Sequence, residues 1–187
     1  MVCTGNICRS PLAEVVLQAG MDEVAPGRFA VTSAGTHAHH GKAAQTGSRD
    51  LAAGIGASLE SFRARQLTPE HILSADLVLI LAAVHRPEVL SLVPSALKRT
   101  FTLREFARIL QHMPLGEYVG GSWVDVVATA HTFRHHAATD DPALDDVTDP
   151  YGLGPDAYEL MAAELLPGIS SIIEAGVILQ RKSSIPG

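Results

Sequence analysis

The chain has 187 residues, 47% of them hydrophobic and 18% charged, with a formal net charge of −6. That length and composition describe one ordinary globular domain, and two cysteines are too few for a disulfide scaffold. The acidic balance offers no basic face, so nucleic acid is not an expected partner.

In chain order, Ser10-Pro11-Leu12-Ala13-Glu14 reads as a helix start. Ser10 can cap, Pro11 suits the first helical position, and Leu12, Val15, Val16 and Ala19 form an apolar stripe that Gly20 should end. Phe29 to Ser33 alternates as a strand and stops at Ala34-Gly35. Ser48 to Ala53 reads as a helix closing at Gly54 or Gly56, and Thr68-Pro69-Glu70 starts another. Leu77 to Leu81 is continuously apolar, as a strand buried on both faces requires. Pro87 to Val93 reads as helix, Phe101 to Leu103 as a brief strand, and Leu103 to Leu110 as a helix with one apolar stripe. Tyr158 to Val177 repeats apolar residues at helical spacing, and Pro167 should kink or split that helix.

Strands alternating with helices imply an α/β fold with a parallel sheet. The expectation is a single domain over residues 1–187, with an insertion at about 113–146. That insertion carries Trp123, a His-rich patch, an acidic run and one helix from about Tyr118 to His136. The longest apolar run, Leu77 to Val84, is short of the roughly 20 residues that cross a bilayer, and the N-terminus has no charged-then-apolar leader. A cytoplasmic protein with no membrane partner is expected.

The most informative string is Cys3-Thr4-Gly5-Asn6-Ile7-Cys8-Arg9-Ser10-Pro11. A cysteine and an arginine stand five residues apart, followed by a hydroxyl and a helix start. Such a loop can turn its backbone N–H groups of Thr4 to Ser10 onto a phosphate, with the helix N-terminus adding positive potential. Gly5 and Asn6 tolerate the left-handed backbone that a tight cradle demands. Arg9 offers a planar fork for two phosphate oxygens. Converging N–H groups favour the thiolate form of a cysteine, which makes Cys3 the candidate nucleophile, and Ser10 could hydrogen-bond it. Thiolate attack on a phosphomonoester expels an alkoxide or phenoxide, which needs a proton from a nearby acid.

The loop closely resembles the phosphate-binding loop of the low-molecular-weight protein tyrosine phosphatases, including bacterial, actinobacterial-type members. Ser33-Ala34-Gly35-Thr36, Ala64-Arg65-Gln66-Leu67, Ala75-Asp76-Leu77-Val78-Leu79 and Phe101-Thr102-Leu103-Arg104-Glu105-Phe106 are similar to further stretches of that family. The resemblance covers all but the insertion. It implies a four-stranded parallel sheet flanked by helices on both faces. It places the general acid at Asp149 of Asp149-Pro150-Tyr151, an aromatic wall at Tyr151, a second wall at His39, and a brace from Ser33 to Asn6. Asp145, Asp146 and Asp156 stand near enough in sequence to be rival acids. Cys8 matches a second cysteine of many members, and either packs beside the loop or pairs reversibly with Cys3 under oxidation.

Three positions depart from the family pattern. Only Met1 and Val2 precede the cysteine where members carry several apolar residues, so the first strand is expected to be truncated. Phe62 stands where a histidine is common, and His39 where an aromatic is common. The clusters His37, His39, His40 and His131, His135, His136 read as solvated surface, and no metal or cofactor is expected.

The implied activity is metal-independent hydrolysis of phosphotyrosine through a phosphocysteine intermediate. The implied partner is a tyrosine-phosphorylated protein, with a bacterial tyrosine kinase as the family-level candidate, and the chain is expected to be a monomer or weak dimer. Two alternatives stand beside this reading: a thiol-dependent arsenate reductase on the same fold, and a non-catalytic phosphate-binding remnant.

Overall fold

The structure, a computed structural model, describes residues 1–115 and 122–183. Four strands form one parallel sheet: β1 (Val2–Cys3), β2 (Ala34–Gly35), β3 (Val78–Ile80) and β4 (Thr100–Thr102), in spatial order β2-β1-β3-β4. Val2 pairs with Ala34 on one side and Ile80 on the other, and Val78 to Ile80 run in register with Thr100 to Thr102. The first strand is therefore present at the centre of the sheet, and it is two residues long.

Alternation along the strands divides the core between the two faces. Val2, Val78 and Ile80 join Leu67, Ile72, Val89 and Val93 in one apolar cluster. Cys3, Leu79, Leu81 and Phe101 face the larger one. The first cluster is covered by α3 (Pro69–Leu73) and α4 (Arg86–Leu92). The second is covered by α1 (Arg9–Val24), α2 (Thr46–Gly54), α5 (Leu103–His112), α6 (Trp123–Phe133) and α7 (Pro155–Ser183). Two starts follow sequence chemistry: Thr102 and Glu105 form a reciprocal capping box on α5, and Ser122 accepts from the Asp125 N–H on α6. Helix α1 departs from it, beginning at Arg9 so that Ser10 and Pro11 lie inside the helix and no side chain caps it.

Several sequence expectations change. Gly20 does not end α1, which continues to Val24; its bare Cα instead lets Ile173 of α7 approach. Phe29 to Ser33 form no strand, because the ladder beside β1 engages only Ala34 and Gly35. The residues ahead of that ladder line an apolar cavity of about 430 Å³ with Met1, Leu77, Val78 and Trp123. Helix α7 is continuous through Pro167. It is also long and apolar enough to cross a membrane by length and composition, which no run of consecutive apolar residues signalled. Its Met161, Leu165, Ile169, Ile172, Ala175 and Leu179 are buried in the protein core, the ordinary use of such a face. Of the helix expected from Tyr118 to His136, Tyr118 lies outside the described residues; the rest is α6 followed by one 3-10 turn, Arg134–Ala137.

Candidate active site

In a sheet of order β2-β1-β3-β4 the strand order reverses at β1, so a ligand crevice is expected beyond the carboxyl ends of β1 and β3. The Cys3–Ser10 loop occupies that place, between β1 and α1. The carbonyls of Cys3, Thr4, Gly5 and Ile7 accept from the N–H groups of Thr36, His37, His39 and Gln45 at 2.9, 3.0, 2.9 and 2.8 Å. In a trans peptide the following N–H points the opposite way, and the described chain has no cis bond. The N–H groups of Thr4, Gly5, Asn6 and Cys8 are thereby turned to the other side of the loop. The Asn6 N–H reaches Cys3 Sγ at 3.3 Å, and Ser10 Oγ lies 2.9 Å from the same sulfur. Two segments meet closely here: a Cβ on Gly35 would lie 2.4 Å from the Thr4 carbonyl, so only glycine lets β2 approach the loop.

Asn6 holds the loop from within. It adopts φ +54° and is fully buried. Its Nδ2 donates to Ser33 Oγ at 2.8 Å and to Ser10 Oγ at 2.9 Å, while its Oδ1 accepts from the Arg65 N–H at 2.8 Å. Ser33 and Asn6 are thus brought together at the expected positions. Phe62 sits in the core, and Arg65, whose N–H binds Asn6, pairs its guanidinium with Glu14 at 3.4 Å.

Arg9 is buried and crosses to the far end of the chain. Its Nη2 donates to Asp149 Oδ2 at 2.6 Å and its Nη1 to the Val147 carbonyl at 3.2 Å. Its Nε is buried with no acceptor among the described residues, a donor suited to an anion. Of the rival acids, Asp145 is engaged by Arg108, Asp146 accepts from the Ala83 N–H at 2.7 Å, and Asp156 lies in the first turn of α7. The acid segment is tied down by Val147 N–H to the Leu81 carbonyl and Thr148 N–H to Glu164, at 2.8 and 2.7 Å. Tyr151 N–H turns back onto Asp149 Oδ1 at 3.3 Å.

The rim residues meet across the mouth. The His39 ring packs over Gly5 and stands 5.3 Å, centroid to centroid, from Tyr151, tilted by 37°. Ile7 and Cys8 turn their side chains into the core, so they can serve a ligand only through the main chain. Burial pushes the Cys8 thiol up to about 11, against a bond to Tyr158 Oη at 3.6 Å. Burial likewise raises the Tyr158 phenol.

Sequence reasoning missed His85. It is 1% exposed, its Nε2 lies 3.0 Å from Thr4 Oγ1, and burial pushes its pKa down to about 4. Its position just beyond β3 was the available signal, since ligand crevices open at the carboxyl ends of strands. Among the described residues no group of three or more His, Cys, Asp or Glu could hold a metal ion. The rings of His135 and His136 meet at 3.9 Å between centroids, tilted by 40°.

Comparison with known proteins gives a consistent result. Etp of Escherichia coli K12, a low molecular weight protein-tyrosine-phosphatase, is 37% identical over 100 residues, 54% of this chain and 64% of Etp. The match thus spans a little less than two thirds of that relative. The low molecular weight protein tyrosine phosphatase of T. tengcongensis superposes with a TM-score of 0.67 at 30% identity, covering 92% of this chain and 95% of the other. The YwlE arginine phosphatase of Geobacillus stearothermophilus superposes at 0.70 with 28% identity, covering 100% and 96%. The family model described as low molecular weight phosphotyrosine protein phosphatase matches residues 1–117. The chain belongs to the low molecular weight phosphotyrosine protein phosphatase family.

Proposed function

We propose that this chain hydrolyses phosphotyrosine in proteins, without a metal, through a phosphocysteine intermediate. The observation that carries the reading is the meeting of Cys3, Arg9 and Asp149 in one crevice, with Asp149 Oδ2 2.6 Å from the Arg9 fork that would hold the phosphate. The Cys3 thiolate attacks phosphorus, and the P–S bond forms as the P–O bond to the leaving group breaks. The inward N–H groups and Arg9 hold the three equatorial oxygens as charge builds on them. On phosphate entry Arg9 exchanges its carboxylate partner for phosphate oxygens, which frees Asp149 to give the phenoxide its proton. Asp149 then takes a proton from the water that hydrolyses the P–S bond. Ser10 steadies the departing thiolate.

A phosphotyrosine ring would enter between His39 and Tyr151, whose present spacing must widen to admit it. The partner is then a tyrosine-phosphorylated protein, with a bacterial tyrosine kinase as one candidate. Residues 113–146 are read as an insertion in the family domain. A second substrate class, phosphoarginine, draws support from the likeness to the Geobacillus protein-arginine-phosphatase, 36% identical over 105 residues. Turnover of a phosphotyrosine peptide and a phosphoarginine peptide, with chelator present, separates the two. The proposal expects faster turnover of the tyrosine peptide, and loss of at least tenfold in kcat for Asp149→Asn. Preference for phosphoarginine, or an unaffected Asp149→Asn, contradicts it.

A further inference from the structure

Thr4 is held from two sides. Its carbonyl accepts from the His37 N–H at 3.0 Å, and its hydroxyl lies 3.0 Å from Nε2 of His85, 81 positions later in the chain. The two contacts fix the peptide whose N–H groups, on Thr4 and Gly5, open the inner side of the loop. The His85 ring is 1% exposed and its Nδ1 has no hydrogen-bond partner among the described residues, although the Ala82 carbonyl favours a proton on the ring. Burial and the Arg9 charge both oppose the imidazolium, while Asp146 and Asp149 favour it more weakly. A neutral ring protonated at Nδ1 leaves the Nε2 lone pair for the Thr4 hydroxyl.

The mount of His85 is equally firm. It stands at the junction between the 3-10 turn Ala83–His85 and α4. The turn's first N–H is bound by Asp146, three residues before the candidate acid. Next to it, Arg86 donates to the buried Glu105 at 2.5 Å. Glu105 is also paired with Arg134, beyond α6, at 2.7 Å.

We infer that His85 is a positioning residue of the phosphate loop, a neutral imidazole that accepts a hydrogen bond from the Thr4 hydroxyl and holds the first inward N–H groups in register for an anion. The inference rests on the phosphate-binding reading of the loop. It gives His85 no contact with phosphate and no proton to transfer.

Glutamine and asparagine separate this role from mere filling of space. A glutamine amide oxygen reaches the place of Nε2, whereas an asparagine stops near Nδ1. His85→Gln should bind inorganic phosphate within about threefold of the wild type, and His85→Asn on the order of tenfold more weakly, the worth of one hydrogen bond. With aryl phosphate the same change should raise KM more than it lowers kcat, because the contact acts before and during the reaction. Thr4→Val, at an exposed position, should match His85→Asn, and the double variant should be no worse than either alone. Equal losses for Gln and Asn, or losses that multiply in the double variant, overturn the inference.

Should the His85 variants not fold, wild type and Thr4→Val still decide it. Long-range proton–nitrogen NMR should show Nε2 unprotonated in the wild type between pH 5 and 8, with its shift moved by Thr4→Val. A proton on Nε2, or an unmoved shift, overturns the inference. That readout needs no turnover. A wild type that shows the expected ring state yet neither binds phosphate nor turns over would refute the proposed function and leave the Thr4–His85 bond standing.

Discussion

Replacing Asn6 by alanine removes three hydrogen bonds at once, of 2.8, 2.9 and 2.8 Å, from a fully buried side chain. At about 1 kcal/mol net each, the bonds account for about 3 kcal/mol. The Arg65 N–H loses its acceptor beside the buried loop, which adds about 1 kcal/mol. The backbone at φ +54° disfavours alanine by about 1 kcal/mol more. Asn6→Ala should therefore lose about 4–5 kcal/mol, near the limit for a single substitution. Asn6→Gly loses the same bonds without the φ penalty, so it should be more stable than Asn6→Ala by about 1 kcal/mol. Urea unfolding of both variants, followed by fluorescence of Trp123, gives the two differences. A loss below about 2 kcal/mol for Asn6→Ala, or glycine as harmful as alanine, refutes the assignment of Asn6 as the interior brace.

Further predictions concern other parts of the structure. A Cβ on Gly20 would lie 2.1 Å from Ile173 Cδ1 and 2.8 Å from Cγ1. Gly20→Ala should therefore destabilise by about 1–2 kcal/mol despite better helix propensity, and should become neutral or stabilising with Ile173→Ala, as thermal unfolding would show. His85 has a folded pKa near 4 against 6.5 unfolded, so the unfolded state takes up the proton first. Its contribution is complete above about pH 6.5 and is lost as pH falls towards 4, by at most about 3 kcal/mol. The difference in unfolding free energy between wild type and His85→Gln should narrow over that window, and a constant difference would contradict the burial account. Iodoacetate at neutral pH should alkylate Cys3 and spare Cys8, whose thiol is held near 11 by burial. Peptide mapping with Cys8 labelled first would contradict that assignment.

What could be read from the sequence was what the local chain determines. The loop from Cys3 to Pro11 carries its own turn residues, cation and helix start, so its shape follows from neighbours in sequence. Leu77 to Leu81 announced β3 because a strand covered on both faces leaves no polar position. Elements set by distant partners were read less well. Gly20 looks like a helix end until Ile173, 153 positions away, is placed against it. Phe29 to Ser33 has strand patterning, but a strand exists only where a neighbour supplies the ladder. The meeting of Arg9 with Asp149 spans 140 positions and was legible only through family resemblance. That of Thr4 with His85 spans 81 and had no motif to announce it. Asp145 and Asp146 were ranked behind Asp149 as acids by family resemblance alone, and the structure shows them engaged by Arg108 and the Ala83 N–H.

The central claim is that Cys3 takes the phosphoryl group. An acid quench of the reaction with p-nitrophenyl phosphate, in chelator, followed by mass analysis of the peptides, tests it most directly. The account predicts one phosphoryl group on the Cys3 peptide, released p-nitrophenol in a burst matching the enzyme concentration wherever hydrolysis of the intermediate is the slow step, and neither signal for Cys3→Ser. A phosphoryl group on another residue, or continued turnover by Cys3→Ser, would contradict it.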